Sequence, residues 1–128
     1  MFTFFLEYGI IDYKLYLKEE NKMAYIIYQI DRTKKKNLDV KNLFPIINDG
    51  NLDFKTFEKN YVIVAKIEAD DLNHVFEIGN IGPEEKIIRS ENPMHSISVG
   101  DVIYNEQDKK YSIVKPVGFE LLADMWGT

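Results

Sequence analysis

Cysteine is absent from the 128 residues. That excludes disulfides, thiolate-ligated zinc or iron–sulfur centres, and a cysteine nucleophile. No apolar run approaches the roughly 20 residues that a bilayer-spanning helix needs. The opening stretch MFTFFLEYGIIDYKLYLKEENK lacks the Lys/Arg-rich start and small-residue cleavage site of a signal peptide. A reducing, cytoplasmic setting is therefore the expectation. Basic charge is also scarce: 16 Lys and Arg face 21 Asp and Glu, for a net charge of −5. Nucleic-acid binding by phosphate neutralisation ordinarily needs the opposite balance. The one basic cluster, Arg32, Lys34, Lys35 and Lys36, reads as a solvated turn. Nucleic-acid binding through this tip is the second functional class, behind protein binding.

The residues that are present fit one ordinary globular domain. Hydrophobic residues make up 45% and charged residues 29%, the proportions of a chain that packs a single core. Eight Phe, eight Tyr and one Trp supply its bulk.

The domain is expected to begin at Met23. Lys18-Glu19-Glu20-Asn21-Lys22 ahead of it back-translates into a purine-rich, GAGG-like stretch before an ATG, which is how a bacterial ribosome-binding site looks when read as protein. Residues 1–22 are then an over-called start or an optional extension. The alternative is that Phe2, Phe4, Phe5, Leu6, Ile10 and Ile11 pack on the domain as a strand or helix.

Tyr25–Ile30 is apolar and β-branched, followed by a polar turn, and predicts a first strand. Asp39–Phe44 predicts a helical turn limited by Pro45, and Asn48-Asp49-Gly50-Asn51 a chain reversal. Asp53–Glu58 predicts one helical turn with Phe54 and Phe57 on one face. Tyr61–Ile67 is almost continuously apolar, which predicts a central strand. Asp70-Asp71 caps a helix over Leu72–Ile78 whose buried stripe is Leu72, Val75, Phe76 and Ile78, stopped by Gly79-Asn80. Residues 81–93 read as a charged, Gly/Pro-containing loop. Residues 94–104 read as extended chain bent at Gly100-Asp101, with Ile97 and Val99 toward the core. A hairpin tip at 105–109 and two further extended segments, 111–114 and 116–122, complete the chain. The fold class expected is α+β: a small mixed or antiparallel sheet with two or three short helices.

Three stretches carry a family resemblance: Val75-Phe76-Glu77-Ile78-Gly79-Asn80, then Met94-His95-Ser96-Ile97-Ser98-Val99-Gly100-Asp101-Val102-Ile103, then Val117-Gly118-Phe119-Glu120-Leu121-Leu122. They resemble the YodL-like family pattern of Phe-x-x-Asn, "(H)SLSVGD-hydrophobic" and terminal "GF-x-x-L", with Ile97 in place of Leu. The match spans about Met23 to Leu122. The resemblance implies a domain of phages, conjugative elements and bacterial chromosomes, without established catalytic residues or cofactor. It also implies interference with, or regulation of, a host or defence protein.

The residues themselves supply few chemical constellations. His74 and Glu77 share a helical turn near Asp70 and Asp71, a spacing that suits a metal, but no further His or Cys lies nearby and the aspartates serve the helix N-terminus. His95, Ser96 and Asp101 suggest a triad, yet neighbouring residues on an extended chain point apart. Gly79-Asn80-Ile81-Gly82-Pro83 lacks the Lys-Ser/Thr of a phosphate loop. Tyr25, Tyr28, Tyr104 and Tyr111 are expected to pack across strands rather than stack bases. No catalytic group, metal or cofactor is expected.

The leading expectation is a non-enzymatic protein-binding module, monomeric or a small homo-oligomer. Its surface is expected to use Ile81, Glu84, Glu85, Arg89, His95, the outer side of 72–78, and Met125 and Trp126, since exposed aromatics and Met favour interfaces. Gly100 and Asp101 are expected to form a structural turn, the glycine for backbone freedom and the carboxylate to accept turn N–H groups.

Overall fold

The computed structural model describes residues 22–32 and 52–122. The expectations for 1–21, for 39–44 and for 48–51 lie outside the described residues.

Strand β1 is Met23–Ile30, helix α1 Phe54–Asn60, strand β2 Tyr61–Ala69 and helix α2 Leu72–Asn80. A 3-10 turn, Glu84–Lys86, leads into β3, Ile87–Arg89; β4 (Val102–Asn105), β5 (Lys110–Val114) and β6 (Phe119–Leu121) follow. All strands join one antiparallel sheet in the order β3-β2-β1-β4-β5-β6. With two α-helices among the described residues, this is a small α+β fold.

The sheet is covered on both faces. Side chains alternate along β1, so Tyr25, Ile27 and Gln29 point one way, and Tyr28 and Ile30 the other. On the first face, Val75 and Ile78 of α2 pack with Tyr25, Ile27, Ile67, Ile97 and Ile103. On the second, α1 inserts Phe57 among Tyr28, Tyr61 and Tyr111, at ring-centroid distances of 4.8, 5.2 and 5.5 Å. Asp53 starts α1, its Oδ1 accepting the Thr56 N–H at 2.7 Å, and that bond holds the carboxyl below its ordinary pKa. Phe54 remains at the surface, so the expected Phe54–Phe57 face is buried only at Phe57.

Five expectations are corrected. β2 is interior but second from the edge, and its apolar run has another cause than central burial. The pairing skips a residue between Ile27↔Ala65 and Tyr28↔Ile63. This bulge turns Val64 and Ala65 into the same core, while Ile63 faces outward. Helix α2 runs through Gly79 and Asn80 and ends at Ile81, where Gly82 takes φ +106°. Phe76 is 39% exposed rather than core, resting edge-on against Phe119 at 6.4 Å. Residues 81–93 are not all loop, because β3 adds an edge strand to β2. Val99 is likewise 39% exposed; only Ile97 enters the core.

Candidate functional site

Residues 81–96 wrap around the C-terminal end of α2 and leave a mostly polar cleft of about 170 Å³. The helix exit builds one wall. Ile81 N–H donates to the Glu77 carbonyl at 2.8 Å and Gly82 N–H to Ile78 at 3.0 Å, closing the last turn. Ile81 is thereby held in place while 83% exposed. Glu84 from the 3-10 turn accepts from Arg89 Nη2 of β3 at 2.7 Å, a surface pair across the cleft mouth. Its energetic worth is under about 1 kcal/mol, so it serves orientation more than stability. His95 and Ser96 form the far side.

Four of the expected partner-binding residues thus converge: Ile81, Glu84, Arg89 and His95. Glu85 lies apart, in a shallow hollow with Lys22, Glu68, Lys86 and Ile88. Met125 and Trp126, like Lys34, Lys35 and Lys36, lie outside the described residues. The outer side of α2 shows Asn73, Phe76, Glu77 and Asn80 to solvent.

His95 is anchored from beneath by a buried polar network whose hub is Gln29, a residue outside the expected site. Gln29 Oε1 accepts the His95 N–H at 3.1 Å, and Gln29 Nε2 donates to the His95 carbonyl and to Asp101 Oδ2, both at 2.9 Å. The two hydrogens of Nε2 are thereby used, so its 3.3 Å approach to His95 Nδ1 is a contact rather than a hydrogen bond. Nδ1 is 2.7 Å from the Ser96 carbonyl, which can only accept, and so carries the proton. The warning sign in the sequence was the parity of Tyr25, Ile27 and Gln29: a polar residue in register with a core face needs a buried partner.

Asp101 is that partner. Its Oδ2 also accepts the Ser98 N–H at 3.0 Å, closing the expected turn around Gly100, whose φ is +95°. Burial pushes its carboxyl up to about 6, against the hydrogen bonds from Ser98 and Gln29 and the fields of His95 and Arg32. Tyr61 O–H donates to the Gly100 carbonyl at 2.6 Å, and burial followed by the Asp101 charge drives its pKa well up. His95 meets the Ser96 backbone rather than its hydroxyl and reaches Asp101 only through Gln29.

The other constellations are also placed. Asp71 caps α2, accepting from His74 N–H at 2.8 Å, and His74 Nδ1 accepts the Asp70 N–H at 3.1 Å. Among the described residues no group of three or more His, Cys, Asp or Glu could hold a metal ion. Tyr28, Tyr104 and Tyr111 pack across strands on the α1 face, with Tyr104 and Tyr111 at 4.5 Å; Tyr25 lies on the opposite face. Burial first, then Tyr111, raises the Tyr28 phenol to about 12. Among the described residues no helix is long and apolar enough to cross a membrane.

The three stretches that carry the family resemblance meet around α2. Phe76 touches Phe119, and Gly79 approaches so closely that an added Cβ would sit 2.2 Å from Ile97 Cδ1. No protein-family model, curated protein or solved structure matches this chain.

Proposed function

We propose that this chain is a small, non-enzymatic protein-binding module, and that it modulates a host or defence protein as the YodL-like resemblance implies. The observation that carries the binding surface is Ile81. An isoleucine 83% exposed, fixed by a closed helix end, offers an apolar anchor at low ordering entropy. Around it, Glu84, Arg89 and His95 form the polar rim that such an anchor ordinarily has. The network beneath His95 preorganises that rim.

The test is affinity capture with the full chain from nuclease-treated bacterial lysate, beside the variants I81D and R89E. A protein retained at near-stoichiometric level by the native chain and lost with either variant supports this surface. Both sites are exposed, so unfolding free energies should stay within about 1 kcal/mol of the parent's. Retention of the same protein by both variants overturns it. Loss of every retained species on nuclease treatment moves nucleic-acid binding to first place.

A further inference from the structure

The opposite end of α2 frames a second concavity, larger and chemically different. A nine-residue helix is about 14 Å long and about 10 Å across, whereas six strands span about 24 Å. Helix α2 packs mainly on β2 and reaches β5 and β6 only where Val114 joins its core and Phe76 meets Phe119 edge-on, so Leu121 at the other end of β6 stays exposed. The result is a groove of about 450 Å³ between the start of α2 and strands β1, β4, β5 and β6. Its walls and floor are largely apolar, with Leu72, Tyr25, Ile103 and Phe119, and Leu121 stands at its rim 52% exposed.

Its charge is one-sided. Asp70 and Asp71 border it on the helix side and Asp108 on the hairpin side, against a single lysine, Lys110. Each carboxylate keeps acceptor capacity beyond its present bond, because two oxygens offer about four lone-pair sites. The fields converge on the floor: after burial, the charges of Asp71, Asp108 and Asp70 in that order raise the Tyr25 phenol above its ordinary pKa.

We propose that this groove docks a basic–apolar segment of a partner protein, one apolar side chain resting on Leu72, Phe119 and Leu121 with flanking Lys or Arg paired to Asp70, Asp71 and Asp108. Charge complementarity selects this occupant over the nearer ones. Residues 1–21 and 123–128, which adjoin the groove in sequence, each carry more carboxylates than lysines and arginines. A second copy of the chain would bring another net −5. The proposal is independent of Ile81, which lies at the other end of α2.

The test is titration of the isotope-labelled full chain by NMR with three capped probe peptides, Gly-Arg-Leu-Lys-Gly, Gly-Arg-Gly-Lys-Gly and Gly-Glu-Leu-Glu-Gly. The first is expected to shift amides of Asn73, Asp108 and Leu121 saturably, at least fivefold more tightly than the others. Its affinity should fall as salt rises from 50 to 500 mM. Each exposed reversal, Asp70→Lys or Asp108→Lys, should weaken it about threefold to fivefold. Equal shifts with the glycine-centred probe, shifts scattered over the whole acidic surface, or no shifts at all would overturn the proposal. Nuclear Overhauser contacts from Phe119 to residues 1–21 in the peptide-free chain would overturn it in favour of an internal occupant.

Discussion

Asp101 is 4% exposed, yet a carboxylate belongs in water. Two hydrogen bonds, from Ser98 N–H and Gln29 Nε2, do not offset the loss of hydration, and its pKa rises from 3.8 to about 6. The folded state therefore holds a proton that the unfolded chain releases between about pH 4 and pH 6. The stability this group contributes is fully present below pH 4, declines through pH 6 and is flat above it. The shift corresponds to on the order of 2–3 kcal/mol. Asp101→Asn keeps an oxygen that can accept both bonds and removes the charge. The variant is expected to exceed the parent in stability at pH 7.5 by 1 kcal/mol or more, and to lose this decline. Urea unfolding at pH 4.5 and 7.5 measures both quantities. A variant weaker than the parent at both pH values would mean that the ionised carboxylate is stabilising where it lies.

Two elements show why some sequence signals translate directly and others mislead. The strands β1, β2 and β5 and the start of α2 were legible because each combines an apolar run with a turn or cap: Asp71 accepts the His74 N–H as an N-cap should. The run Tyr61–Ile67 misleads, because continuous apolarity there reflects the bulge at Val64 and not a central position. Ser90 Oγ and Asn92 Nδ2 both donate to the Ile63 carbonyl beside that bulge, at 2.7 and 2.9 Å, satisfying a group that regular pairing would have used. The three residues of β3 are too few for periodicity to register. Gly79 does not stop α2; its role is steric. An alanine Cβ would lie 2.2 Å from Cδ1 and 2.6 Å from Cγ1 of Ile97, itself only 2% exposed. Gly79→Ala gains about 1 kcal/mol of helix propensity and loses more to overpacking. A net loss of about 1–2 kcal/mol is expected in chemical denaturation. The double variant G79A/I97V should recover part of it, since valine lacks the Cδ1. A G79A protein as stable as the parent would show that Ile97 can move aside at no cost.

At the scale of the molecule, one sheet carries two cores, and the strands in its middle belong to both. Strand β1 sends Tyr25 and Ile27 to the α2 side and Tyr28 and Ile30 to the α1 side; β4 sends Ile103 one way and Val102 the other. The polar hub at Gln29 and Asp101 lies at this junction and supports His95 in the candidate binding cleft. That cleft was half legible: Ile81, Glu84, Arg89 and His95 could be named from exposure and charge, whereas Gln29 and the groove beside Phe119 depend on which strands become neighbours. Strand order is a long-range property that local pattern does not encode. Sharing of strands has a thermodynamic consequence, because neither core can lose its packing while the sheet between them stays in place. Ile103→Val removes one buried methyl group on the α2 side, at about 1 kcal/mol. Ring-proton resonances of Tyr28, Phe57 and Tyr111, followed by NMR, report the α1 side, and far-UV circular dichroism the backbone. Both midpoints in urea are expected to fall together and by the same amount in this variant, as one cooperative transition requires. A far-UV midpoint that moves while the aromatic signal stays at its parent value would show that the α1 side unfolds on its own, and that the two faces of the sheet are separate cooperative units.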